Sequence, residues 1–305
     1  MKYVRFLVPG TTAPRLGRLH DDRIDELSGW DGDMTALISD TDNARTAATV
    51  AQHALPDVRL LAPFMPTTIL CSGSNYHAHN REKASSPLSG KEPEFFIKTS
   101  DCVIGPDDEV PFDPILTKKL DCETELAIVI GKPGRHIPLE HALDHVFGYS
   151  IVNDVTARDR QVRFRSDGSA FYELGRGKVF DGSAPFGPCV VTADEIPDPQ
   201  RLRLRTRING ELRQSGHTSD MLWSCAHLIH IFSINLTLRP GMVIITGTPA
   251  GTAWSVDKEL GGNWIPPEDG EPVVPARGYN QPGDVVESEI EGIGTLRVRV
   301  SSKNN

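Results

Sequence analysis

Glu123 and Glu125 stand two residues apart in Leu120-Asp121-Cys122-Glu123-Thr124-Glu125-Leu126-Ala127-Ile128-Val129-Ile130-Gly131. Side chains alternate along an extended chain, so both carboxylates leave the same face. The run that follows is apolar on both faces, as in a buried strand. Two like charges beside a core repel strongly unless protons or a cation neutralise them, and a hard metal ion is the simplest remedy. Asp154 ends a similar segment, Gly148-Tyr149-Ser150-Ile151-Val152-Asn153-Asp154. Three oxygen ligands without nearby Cys or paired His suit Mg²⁺, Mn²⁺ or Ca²⁺ better than zinc. An E-x-E pair is also a common pattern on solvated strand faces, and spacing alone leaves both readings open.

A second group lies in Ser74-Asn75-Tyr76-His77-Ala78-His79-Asn80-Arg81-Glu82, which reads as a loop entering a short helix with Asn75 as cap. On a helix, His79 and Glu82 share a face, so the carboxylate can orient the imidazole and raise its basicity; a plain surface pair has the same spacing. Lys178, in Gly175-Arg176-Gly177-Lys178-Val179-Phe180-Asp181, is not part of a phosphate loop. Tyr172 stands where the first glycine is needed and Val179 where the hydroxyl is needed. Its ammonium either faces an anionic substrate or is simply solvated. The pairs His141/His145 and His227/His230 lack a third ligand and read as surface or core histidines.

These groups need a scaffold, and the composition supplies one. The 305 residues include 41 acidic and 32 basic side chains, a net charge of -9, with 38% hydrophobic and 24% charged positions. That is an ordinary globular balance, which excludes disorder and collagen-like repeats. A pI near 5.6 argues against nucleic acid or an anionic membrane as the main partner. The first ten residues are cut by Pro9-Gly10 and fall far short of the roughly 18 apolar residues of a membrane span. Five widely spaced cysteines without a C-x-x-C pair point to the reducing cytoplasm.

Composition changes near Pro63-Phe64-Met65-Pro66, dividing the chain into a small N-terminal domain or extension, 1–64, and a main body, 65–305. In the first part, Lys2 to Val8 and Arg15 to Leu27 read as short strands, and Asp33 to His53 as an Ala-rich helix capped by Asp31 or Asp33. The body reads as many short strands, among them Phe95 to Lys98, Leu126 to Ile130, Gly148 to Asn153, Arg203 to Ile208, Val243 to Thr246 and Val285 to Ile290. Helical patterning is limited to Leu139 to His145 and to Leu222 to Ile234, the latter with Leu222, Ala226, Ile229 and Ser233 on one face. The Gly- and Pro-rich stretch Gly247 to Gly283 carries Trp254, Trp264 and Tyr279 and is expected to be an ordered loop near a ligand or a partner subunit.

Taken in order, the 74–82 and 120–126 segments, Asn153-Asp154-Val155-Thr156-Ala157-Arg158-Asp159-Arg160-Gln161, Gly177-Lys178-Val179-Phe180-Asp181, Thr246-Gly247-Thr248-Pro249-Ala250-Gly251 and Gln281-Pro282-Gly283-Asp284-Val285-Val286-Glu287 closely resemble the fumarylacetoacetate hydrolase family, in its acylpyruvase and 2-hydroxyhepta-2,4-diene-1,7-dioate isomerase-like branch. The resemblance covers about Thr68 to Val300. It implies a mixed α/β, predominantly β fold: the family's C-terminal-type β-roll with a small N-terminal α+β extension, usually a homodimer. It implies Mg²⁺ or Mn²⁺ on Glu123, Glu125 and Asp154, a water-activating dyad of His79 and Glu82, and a pocket lined by Tyr76, Arg158, Gln161, Lys178 and Thr248. Val179 departs from the serine common there, and Trp254 to Gln281 is longer than in compact members. The expected reaction is metal-dependent hydrolysis of a carbon–carbon bond in a 2,4-dioxo acid (acylpyruvate), with Lys178 holding the oxyanion or protonating the leaving carbon. A tautomerase, decarboxylase or hydratase of a related 2-oxo acid is the alternative, and a non-catalytic metal-dependent binding protein the third reading.

Overall fold

The computed structural model describes residues 1–82, 91–267 and 271–302. Its centre is the strand Thr124–Ile130, every residue of which is buried. It pairs antiparallel with Val146–Asn153 on one side and Val243–Ile245 on the other. Beyond Val243–Ile245 the sheet continues through Ile69–Gly73, which runs parallel to it, and ends on Glu94–Lys98. On the opposite side, Val146–Asn153 pairs with Ala184–Thr192, and this with Lys2–Leu7.

The N-terminal strands Lys2–Leu7, Arg15–His20, Arg23–Leu27 and Thr49–Ala54 therefore extend the sheet of the body. A second sheet, in the order Glu211–His217, Arg203–Ile208, Val285–Ile290, Gly294–Ser302, Glu109–Phe112, packs against the first. Leu126 and Ile128 of the central strand share a core with Leu204, Ile290 and Leu296 of this sheet. At the seam the hydroxyl of Thr124 lies 2.6 Å from that of Thr206 and 2.8 Å from that of Ser288, so buried polar groups satisfy one another. The fold is thus mixed and mostly β, as the sequence reads.

Local expectations held where periodicity was strong. Along Arg203–Ile208, Leu204 and Thr206 are buried while the arginines face outward, Arg203 and Arg205 pairing with Glu271. The helix expected over 33–53 is instead broken. Asp33 does cap a helix, accepting from the N–H groups of Thr35 and Ala36, but that helix ends at Ser39, a second runs Thr41–Thr46, and Thr49–Ala54 is a strand. Pairing with Arg23–Leu27 overrides the alanine propensity. Leu139–His145 is a 3₁₀ segment, and the later helix runs Cys225–Asn235 with Ser224 as cap. Its buried face is Cys225, Leu228, Ile229, Phe232 and Ser233, so Leu222 and Ala226 lie off it. Among the described residues no helix is long and apolar enough to cross a membrane.

Gly148 shows how closely the sheet is fitted: a Cβ there would lie 2.2 Å from the carbonyl oxygen of Val191, main chain that cannot swing away. Gly148→Ala is expected to lower unfolding stability by about 1–3 kcal/mol or more, read by urea denaturation; an unchanged midpoint would show that the two strands can part without cost.

Candidate active site

The pairing of Thr124 with Asn153 brings the residues just outside it, Glu123 and Asp154, to the same end of adjacent antiparallel strands. The N–H of Asp154 donates to the carbonyl of Glu123 at 2.8 Å, and the Asn153 side chain accepts from the N–H of Glu123 at 2.9 Å. Glu125, one strand step inward, accepts from the N–H of Gly247 at 2.6 Å. One oxygen from each of Glu123, Glu125 and Asp154 lies within 4.8 Å of the others, and all three residues are buried.

Cations surround this cluster unevenly. Lys178 Nζ lies 2.5 Å from Glu123 and 2.6 Å from Asp154, and Arg158 pairs with Glu123 and, at 2.8 Å, with Asp121. Burial alone would raise the pKa of Glu123, but Arg158 and Lys178 outweigh it and hold the carboxyl well below its ordinary range. Among the described residues, none makes a salt bridge to Glu125. Burial, with the charges of Asp154 and Glu123, pushes its pKa well above that of a free carboxylate. The donor set therefore fits a hard divalent cation: all oxygen, buried, and short of positive charge at one member.

The other residues singled out from the sequence converge on the same place, with one exception. His79 is on the short helix His77–Arg81, and its Nδ1 lies 2.8 Å from Glu82 Oε1 in buried surroundings. Glu82 is itself held by the N–H of Gly251 at 2.9 Å. Gly251 has φ of +107°, and a Cβ there would lie 1.9 Å from the carbonyl oxygen of Arg213, so glycine alone lets this loop turn in close. Lys178, Arg158 and Gln161 come from the helices Arg158–Gln161 and Leu174–Lys178, which pack closely at Gly177. Gln161 accepts from Arg158 at 2.9 Å. Thr248 donates to the carbonyl of Thr124 and accepts from Gln214. His79, Arg158, Gln161, Lys178 and Thr248 line, with the carboxylates, one cavity.

Tyr76 does not line this cavity. Its backbone bridges Met221 and its fully buried ring joins the main core, where burial pushes the phenol's pKa well up. Nor does Asn75 cap the helix: its side chain bonds the carbonyls of Trp223 and Thr246 and the N–H of Trp223, tying the strand-end loops together. Trp254 of the long loop is buried against Arg158, whose guanidinium lies 5.0 Å from the ring centre, and edge-on to His79.

Asp121 and Lys98, which buttress the carboxylate cluster, were not singled out from sequence. Asp121 holds Arg158 and accepts from the N–H groups of Ala253 and Trp254 at 2.9 and 3.1 Å, anchoring the long loop. Lys98, fully buried, reaches Asp154 Oδ1 at 3.0 Å and the carbonyl and hydroxyl of Ser183 at 2.9 and 3.0 Å, and also bonds the carbonyl of Lys178. Asp121 stands two residues before Glu123 and Lys98 two after Phe96, the spacing that alternation along an extended chain places on one side.

The family description "Fumarylacetoacetate (FAA) hydrolase C-terminal" matches residues 68–301. The chain belongs to this family. A second description, "Rv2993c-like, N-terminal", matches residues 1–63 of this fumarylacetoacetate hydrolase family member. Oxaloacetate tautomerase YisK of Bacillus subtilis is 40% identical over 246 residues, 80% of this chain and 73% of that one. Mitochondrial oxaloacetate tautomerase fahd2 of Xenopus laevis is 36% identical over 309 residues, 97% of this chain and 89% of that one. The crystal structure of maleylpyruvate hydrolase from Sphingobium sp. SYK-6, in complex with manganese(II) ion and pyruvate, is 27% identical and covers 100% of both chains with a TM-score of 0.73.

Titration with Mn²⁺, followed by the spin resonance of the free ion, is expected to reveal a single saturable site that Glu125→Ala and Asp154→Ala abolish. Asp121→Asn, which leaves those three side chains in place but loosens Arg158, should weaken binding by about 10- to 100-fold. Undiminished binding by Glu125→Ala would place the ion elsewhere.

Proposed function

We propose that this family member is a divalent-metal-dependent tautomerase of a 2-oxo acid, interconverting its keto and enol forms. The observation that carries this reading is buried His79, paired with Glu82 and lining the same cavity as Lys178 and the carboxylate triad, so that one bound acid would have a proton acceptor and a proton donor in one cavity. Glu123, Glu125 and Asp154 would hold Mg²⁺ or Mn²⁺. When bound, such a cation supplies Lewis-acid polarisation at the carboxylate end of a 2-oxo acid. Glu82, itself held by Gly251, orients His79, so the imidazole takes the proton from C3. Lys178 returns a proton to the substrate, and Arg158 with Gln161 orients it. The two tautomerases similar to this chain support the assignment.

Carbon–carbon bond hydrolysis of an acylpyruvate is the second reading. It is favoured by the likeness to maleylpyruvate hydrolase and by the same dyad, which would then take its proton from water. Both readings make the substrate a small 2-oxo or 2,4-dioxo acid. We further propose a homodimer, because the sheet ends on Glu94–Lys98 with Phe95 and Ile97 38% and 42% exposed, an apolar edge that a second copy would cover.

In D₂O with Mn²⁺, the protein is expected to catalyse deuterium incorporation at C3 of oxaloacetate and related 2-oxo acids, and loss of their enol absorbance. His79→Gln should lower the rate by about 10²- to 10⁴-fold while keeping Mn²⁺ binding. Pyruvate plus a carboxylic acid released from an acylpyruvate would move the assignment to the hydrolase. Sedimentation equilibrium at micromolar concentration should give twice the chain mass; a monomer there would refute the dimer.

A further inference from the structure

The strand Glu94–Lys98 forms one wall of the active-site cavity, and its alternate residues Glu94, Phe96 and Lys98 are spread along that wall. Lys98 lies under Asp154, and Phe96 comes next, its ring 5.3 Å from Lys178 Nζ. Glu94 stands one strand step further, about 13 Å along the strand from Lys98. Phe96 and Glu94 line the cavity. The triad end grips the 2-oxo-carboxylate in the reading above, so Glu94 meets the other end of the substrate.

Two details show that its carboxylate belongs inside this wall. Gly73 is paired directly opposite Glu94, and a Cβ on Gly73 would lie 2.7 Å from Glu94 Oε2, so the glycine leaves the room that the carboxylate fills. Glu94 Oε1 is buried and, among the described residues, has no hydrogen-bond partner. A buried acceptor without a donor is unfavourable, and a charged one more so, which makes it a site awaiting a donor.

We propose that Glu94 is a specificity-determining residue. Its carboxylate accepts a hydrogen bond from a hydroxyl-bearing tail of the 2-oxo acid and repels a tail that ends in a second carboxylate. This rests on the 2-oxo acid reading of the site. A hydrogen bond to a charged acceptor is worth about tenfold or more in affinity, and a like charge in an enclosed cavity adds discrimination against the wrong ligand. Short acids such as oxaloacetate, whose second carboxylate is only two carbons from the oxo group, would not reach Glu94. The discrimination belongs to longer substrates.

The test uses the full chain loaded with Mn²⁺ and 3,3-dimethyl-2-oxo acids of six and seven carbons, ending in either a hydroxyl or a carboxylate. These have no proton at C3 and cannot enolise, so calorimetric binding reads Glu94 apart from the reaction. The hydroxyl tail is expected to bind about tenfold tighter or more than the carboxylate tail. Glu94→Gln should bring the ratio close to one, chiefly by admitting the carboxylate, and Glu94→Lys should reverse it. Should Glu94→Lys fail to fold, the near-isosteric Glu94→Gln decides. Equal binding of the two tails, an unchanged ratio in Glu94→Gln, or no binding of either tail overturns the proposal. If the order holds while no 2-oxo acid exchanges its C3 proton, the tautomerase reading fails and Glu94 stands; if exchange proceeds while the order is absent, Glu94 alone fails.

Discussion

The structure is organised around the cost of placing carboxylates together inside a protein. Asp121, Glu123, Glu125 and Asp154 are all buried near one end of the central sheet, and the cations that answer them are Lys98, Arg158 and Lys178. Charges taken out of water are tolerated when each has a partner and its remaining lone pairs are bonded, and the site meets that condition almost everywhere. Of these four acids it is Glu125 that accepts a backbone N–H but, among the described residues, makes no salt bridge, and burial with its acidic neighbours raises its pKa. The shortfall of positive charge is thus local, set by one side chain.

Much of the surrounding architecture converges on this cluster. Antiparallel pairing brings Glu123 and Asp154 side by side, and parallel pairing of Ile69–Gly73 with Val243–Ile245 delivers two loops to the same end. One carries His79 and Glu82; the other supplies Gly247 to Glu125 and Gly251 to Glu82. Asp121 then draws the long loop down through Ala253 and Trp254, and Trp254 covers Arg158. Burial of this kind lowers the local dielectric and strengthens every charge interaction inside.

A histidine oriented by a carboxylate, an ammonium and three carboxylates around one small cavity would suit tautomerisation and hydrolysis alike, and relatives carrying both names resemble the chain over most of its length. What separates such reactions is whether water or only a proton reaches the substrate. What separates substrates is the wall beyond Phe96. The fold supplies the shared chemistry, and side chains such as Glu94 tune it.

From sequence alone, the alternation of Glu123 and Glu125, the strand ending in Asp154, the three-residue spacing of His79 and Glu82 and the order of six motifs already carried the fold class and most of the site. These are local patterns, and strand parity and helical spacing hold whatever the chain does elsewhere. The same parity held Asp121 and Lys98, but a charge on an otherwise apolar face acquires meaning only when its partners are known, and Arg158 and Ser183 lie far along the chain. Tertiary structure decided the rest. It turned Tyr76 into the core, broke the 33–53 helix by pairing Thr49–Ala54 at a sheet edge, and left Glu125, among the described residues, as the acid of the triad without a salt bridge. Each outcome depends on which distant groups share a low-dielectric space, and sequence separation does not encode that distance.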